Sequence, residues 1–169
     1  MGPLWMQAAQ LTGANLNPRI WVDDAPASSY LACMAVKCAA LQSAEAEHLY
    51  LHSIREAVMV RGINIAFESR LVQVAREVEQ RYPAIFDTEQ FSRDLRNGNG
   101  LDAFRQDLTE VQQRGINRFP TLIVRSPHRQ SQLLTGYRSL QQLEDLYRWM
   151  SGEELAPSSA STVGVTRES

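Results

Sequence analysis

Gly115-Ile116-Asn117-Arg118-Phe119-Pro120-Thr121-Leu122-Ile123-Val124 is where the hydrophobic period of this chain changes. Before it, Leu101, Phe104, Leu108 and Val111 recur at helical spacing, and Gly115 supplies the left-handed conformation that ends such a stripe. After it, Leu122-Ile123-Val124 and Gln132-Leu133-Leu134 predict two strands, joined through Ser126-Pro127-His128-Arg129-Gln130 as a hairpin with a longer loop. Pro120 stands where a strand begins, because proline lacks the N–H that a ladder uses. About one X-Pro bond in twenty is cis in folded proteins, and a cis bond here would open the backbone of Phe119 to a ligand. The local pattern leaves cis and trans open.

Outward from this segment the chain reads as helices. Downstream, Ser139 with Gln142 predicts a capping box for a last helix carrying Leu140, Leu143, Leu146, Tyr147 and Met150. Upstream, Pro3 opens a short helix that Gly13 ends, and a turn-rich stretch from Asn15 to Ala27 follows. Ser28 is the expected N-cap of the next helix, in which Lys37 is the single charge between Tyr30 and Leu41; a helix apolar all round belongs in a core. Ser43 restarts a helix that runs toward Gly62. Leu71, Val74, Ala75, Val78 and Tyr82 stripe another that must stop before Pro83. Asp87 with Gln90 caps a short helix bearing Phe91 and Leu95, broken by Asn97-Gly98-Asn99-Gly100.

A chain of 169 residues with 44% hydrophobic content can bury one sizeable core, so one domain over residues 1–150 is expected. The rest, 151–169, is rich in Ser, Thr, Pro and Gly and is expected to be a disordered tail. A net charge of −2 gives no electrostatic footprint for nucleic acid, and the arginines look scattered along the sequence. No run of some 18 apolar residues predicts a membrane span, and no charged and apolar leader opens the chain, so a cytoplasmic protein is expected. Two cysteines are too few for a disulfide framework.

Three sets of residues carry candidate chemistry. Cys33 and Cys38 invite a redox role, yet five positions on one helix separate them by about 7.5 Å of rise and roughly 140° of rotation, too far for a disulfide. The simpler reading makes them inert small hydrophobes with raised thiol pKa. Glu45, His48, His52 and Glu56 share a helix face, and two histidines four apart can share a metal. A solvated polar face accounts for them equally well, and no cofactor is called for. Tyr137 and Arg138 follow Gly136, which serves the turn between strand and helix.

Two blocks resemble the DsbA-like thioredoxin-fold oxidoreductases, including relatives of the 2-hydroxychromene-2-carboxylate isomerases. One is Pro26-Ala27-Ser28-Ser29-Tyr30-Leu31-Ala32-Cys33-Met34-Ala35-Val36-Lys37 followed by Arg55 to Ala66; the other runs from Gly115 through Phe119-Pro120-Thr121 to Leu134-Thr135-Gly136-Tyr137-Arg138. The resemblance implies an α/β fold, mostly helical by content: a helical insertion over about 1–114, then strand, strand and helix over about 119–150. It implies that Phe119, Pro120 and Thr121 form a cis-proline loop at which a thiol or peptide substrate meets backbone. In the family this loop faces a C-x-x-C motif, which this chain does not carry, so the expected protein is a thiol-disulfide oxidoreductase relative inactive by itself. The alternatives are a non-catalytic binding or dimeric assembly protein, and a glutathione-dependent isomerase or transferase relative. An open two-stranded edge further predicts a homodimer through Leu122 to Val124 or Gln132 to Leu134, or a complementing chain.

Overall fold

Side chains that take up orphan N–H groups start three of the helices. Ser43 accepts from the Ala46 N–H, Asp87 from Gln90, and Ser139 from Gln142, whose own amide returns to the Ser139 N–H. The computed structural model describes residues 1–127 and 129–152. Its elements are α1 (Gly2–Thr12), α2 (Ile20–Asp23), α3 (Tyr30–Ala40), α4 (Ala44–Met59), α5 (Glu68–Arg81), α6 (Thr88–Asn97), α7 (Leu101–Gln113), β1 (Thr121–Ser126), β2 (Arg129–Thr135) and α8 (Leu140–Ser151). They form two compact units, one spanning Met1–Glu110 and one from Val111 onward. The content is mostly helical with one two-stranded antiparallel sheet, as the sequence predicts.

In the first unit α3, α4, α5 and α6 pack on one another. Helix α3 buries Ala32, Ala35, Cys38 and Ala39, small side chains that let neighbouring helices come close. Tyr50 of α4 is fully buried; its ring lies 5.8 Å from Phe86 and 4.8 Å from Phe91, and its hydroxyl donates to the Leu71 carbonyl at 3.1 Å. The Gln42 amide clamps the start of α6 by donating to the Asp87 carbonyl at 2.8 Å and accepting its N–H at 2.9 Å. Lys37 closes α3 onto α7 through Asp107 at 2.9 Å. Helix α1 has no buried residue and rests on α2 through the edge-to-face pair Trp5 and Trp21.

In the second unit β1 pairs with β2 in the register Leu122 opposite Leu134 and Ile123 opposite Leu133, with an irregularity between Val124 and Ser126. Helix α8 packs on β1, burying Leu146 and Met150, and the Ser126 hydroxyl donates to the Met150 carbonyl at 2.8 Å. Arg129 lies over the Trp149 ring at 4.5 Å.

Three local expectations need correction. The N-cap of α3 is Ser29 and not Ser28, although the Ser28 hydroxyl still accepts the Tyr30 N–H, an ST-turn competing with the cap one residue away. The hairpin connection is tight, because Ser126 already pairs with Arg129 and the strands absorb the polar residues assigned to the loop. Ser151 ends α8 and Gly152 caps it in the left-handed region, so the expected tail does not begin at 151; residues 153–169 lie outside the described residues. Among the described residues no helix is long and apolar enough to cross a membrane.

Candidate functional site

The loop ahead of β1 is fixed from both ends. Gly115 adopts φ 62°, and the Ile116 N–H returns to the Val111 carbonyl, so the chain leaves α7 through a tight helix end. At the other end the Thr121 hydroxyl donates to the Arg118 carbonyl at 2.6 Å, and the Gly136 N–H donates to the Pro120 carbonyl at 2.8 Å. The Phe119–Pro120 peptide bond is cis. Phe119 is 69% exposed, and among the described residues neither its N–H nor its carbonyl has a hydrogen-bond partner. The loop therefore offers an aromatic side chain and an unpaired donor and acceptor at one position, held by bonds from its neighbours. An extended segment needs those groups to bind by backbone pairing.

Around the loop the surface is apolar and open. Leu122 is 45% exposed, Leu133 48% and Tyr137 55%, so both faces of the hairpin leave large side chains in water. Arg138 follows on the turn that carries Gly136. Its Nη1 donates to the Tyr137 carbonyl at 3.0 Å, while its buried Nε has no hydrogen-bond partner among the described residues. In the sequence Arg138 is only a neighbour of the turn glycine; burial of its Nε is a tertiary property with no signature in the local pattern.

The cysteines lie in the first unit and form no disulfide. Cys33 is half-buried, and burial pushes its thiol up; a hydrogen bond from Ser29 and the charge of Lys37 lower it, while Asp107 adds to the rise. Cys38 is fully buried, and burial raises its thiol against a hydrogen bond from the Gly100 backbone. Neither thiol is a ready thiolate at neutral pH. His48 and His52 are exposed along α4 beside exposed Glu45 and half-buried Glu56. Among the described residues no three His, Cys, Asp or Glu side chains gather in a way that could hold a metal ion.

A family model described as Thioredoxin matches residues 4–145. The ClpXP adapter protein SpxH of Bacillus subtilis strain 168 is 27% identical over 158 residues, covering 91% of this chain and 51% of that protein. The ClpXP adapter protein SpxH of Bacillus licheniformis is 28% identical over 156 residues, covering 91% and 50%. That of Halalkalibacterium halodurans is 25% identical over 120 residues, covering 71% and 37%. The chain thus spans about half or less of the length of these curated relatives. Its helices, its hairpin after Pro120 and the family match across both compact units place the chain in the thioredoxin family.

Proposed function

We propose that this protein is a non-catalytic, thioredoxin-fold binding protein of the adapter kind, which holds an extended polypeptide segment at Phe119, Pro120 and Thr121. The observation that carries the reading is Phe119: a large exposed ring whose backbone N–H and carbonyl are both unpaired, on a loop tied down by Gly136 and Thr121. Adapter work needs a binding surface and no thiolate. Both thiols of this chain are pushed up by burial, which suits binding better than thiol-disulfide exchange. The relatives named as ClpXP adapter proteins support a role of the adapter kind.

The test uses a permanently unfolded probe, reduced and carboxymethylated α-lactalbumin. Fluorescence anisotropy is expected to show binding that Phe119→Ala weakens about tenfold, the loss typical of an aromatic anchor. The Cys33→Ala/Cys38→Ala variant is expected to bind like the parent protein. Insulin reduction above the buffer rate, lost in the double cysteine variant, would overturn the reading in favour of a DsbA-like oxidoreductase.

A second reading, self-association, is favoured by the open edges of the two-stranded sheet. Pairing of two copies through Leu122 to Val124 or Gln132 to Leu134 would give a four-stranded sheet. Light scattering at micromolar concentration distinguishes it: a monomer rejects this second reading and leaves the first intact.

A further inference from the structure

The second unit differs from the rest of the chain in its charge. From Val111 to Ser169 the sequence carries seven arginines against Glu144, Asp145, Glu153, Glu154 and Glu168, a net charge of +2 in a protein whose total is −2. Carboxylates are fewer than arginines in the unit that carries the hairpin, whereas they outnumber the basic residues in the first unit. Among the described residues, no ion pair with a carboxylate involves Arg118, Arg125, Arg138 or Arg148.

Arg138 is the most informative of them. It is half-buried, and its Nε is buried without an acceptor among the described residues. Its guanidinium stands beside Gly136, whose Cβ, if it had one, would come within 4.0 Å of Nη1. Gly136 is the residue whose N–H holds the Pro120 carbonyl. A single backbone bond therefore couples the turn bearing this guanidinium to the loop bearing Phe119. A partly desolvated guanidinium that spends one donor on a carbonyl has donors left for a carboxylate, and its planar fork matches that shape.

We infer that the segment held at the Phe119 loop is acidic, and that Arg138 is the residue that recognises its carboxylate. The inference rests on the binding role proposed above and names the chemistry of the partner. A protein segment fits better than a nucleic acid strand. The unpaired N–H and carbonyl of Phe119 and the open strand edges pair with backbone amides, and a phosphate chain has no N–H to donate to the Phe119 carbonyl.

The experiment compares fluorescein-labelled decapeptides of alternating Val and Glu, and alternating Val and Gln, with a ten-nucleotide oligo-dT, by anisotropy at low and moderate salt. The Glu peptide is expected to bind about tenfold tighter than the Gln peptide, the scale of one charge-assisted hydrogen-bonded contact. Arg138→Gln is expected to erase that preference. Arg138→Lys should retain part of it, and Arg148→Gln, which removes the same charge from exposed α8, should retain most of it. Equal binding of both peptides, or a preference untouched by Arg138→Gln, overturns the inference and leaves the binding role standing. Binding of neither peptide together with no binding of unfolded α-lactalbumin overturns both. Oligo-dT binding tighter than the Glu peptide also overturns the inference.

Discussion

A Cβ added to Gly100 would stand 2.5 Å from the carbonyl oxygen of Met34, 3.0 Å from the Cys38 sulfur and 3.1 Å from the Cys38 nitrogen. The start of α7 thus lies directly against the backbone of α3, and only a residue without a side chain fits. Gly100→Ala forces backbone apart and is expected to cost about 1–3 kcal/mol, read as a lower urea midpoint. Gly98 is a useful contrast: it has φ 69° and nothing within 4 Å of a built Cβ. Gly98→Asn should cost less than Gly100→Ala, because asparagine tolerates the left-handed region.

Tyr50 divides its contribution between ring and hydroxyl. The ring fills the space between Phe86 and Phe91, and the hydroxyl adds one bond to the Leu71 carbonyl. Tyr50→Phe is expected to cost about 1 kcal/mol and Tyr50→Leu more, since the second change also leaves a void against two aromatic rings. Equal losses from the two substitutions would show that the hydroxyl carries the whole effect.

The thiols predict an alkaline limit. Both Cys33 and Cys38 have pKa values raised above the ordinary 9.0, so the fold favours the neutral thiol. A raised pKa contributes stability that is fully present below the unfolded value and is lost as pH rises through the folded one. Stability should therefore hold from pH 7 to about 9 and fall above it, with Lys37 and Tyr50, also raised, adding to the loss at higher pH. Urea midpoints measured from pH 7 to 10.5 check this. The Cys33→Ala/Cys38→Ala variant is expected to flatten the first part of the fall, and a parent curve flat to pH 10.5 would refute the assignment.

The capping box of α8 gives a local test in the second unit. Ser139→Ala removes the acceptor for the Gln142 N–H and is expected to cost about 1 kcal/mol. Gln142→Ala removes the reciprocal bond to the Ser139 N–H. The double variant should lose less than the two single losses added together, because the bonds close one ring; hydrogen exchange of the first turn of α8 measures it.

Much of the fold is legible in the sequence because its punctuation is local. Ser43, Asp87 and Ser139 bond to an N–H three residues on, and Gly13, Gly98 and Gly115 end helices by adopting positive φ. These are properties of a few consecutive residues, so a reader of the chain finds them. The same locality explains the errors. Ser28 and Ser29 both suit a cap, and the pattern does not say which one the helix will use. The residues from Ser126 to Gln130 look like a loop by composition, yet Arg129 and Gln130 extend β2.

The sequence by itself determined the longer helices, though not the single turn α2 inside the turn-rich stretch, together with the order of the two strands and the place of Pro120 ahead of them, because caps, glycines and hydrophobic period act over three or four residues. Tertiary structure alone decided that Gly100 meets Met34, that Cys38 is sealed while Cys33 is half open, and that the Gly136 N–H ties the turn of Arg138 to Pro120. Those relationships join residues far apart in the chain. Their energies come from burial and close approach, which depend on how elements pack, and no local spacing encodes them.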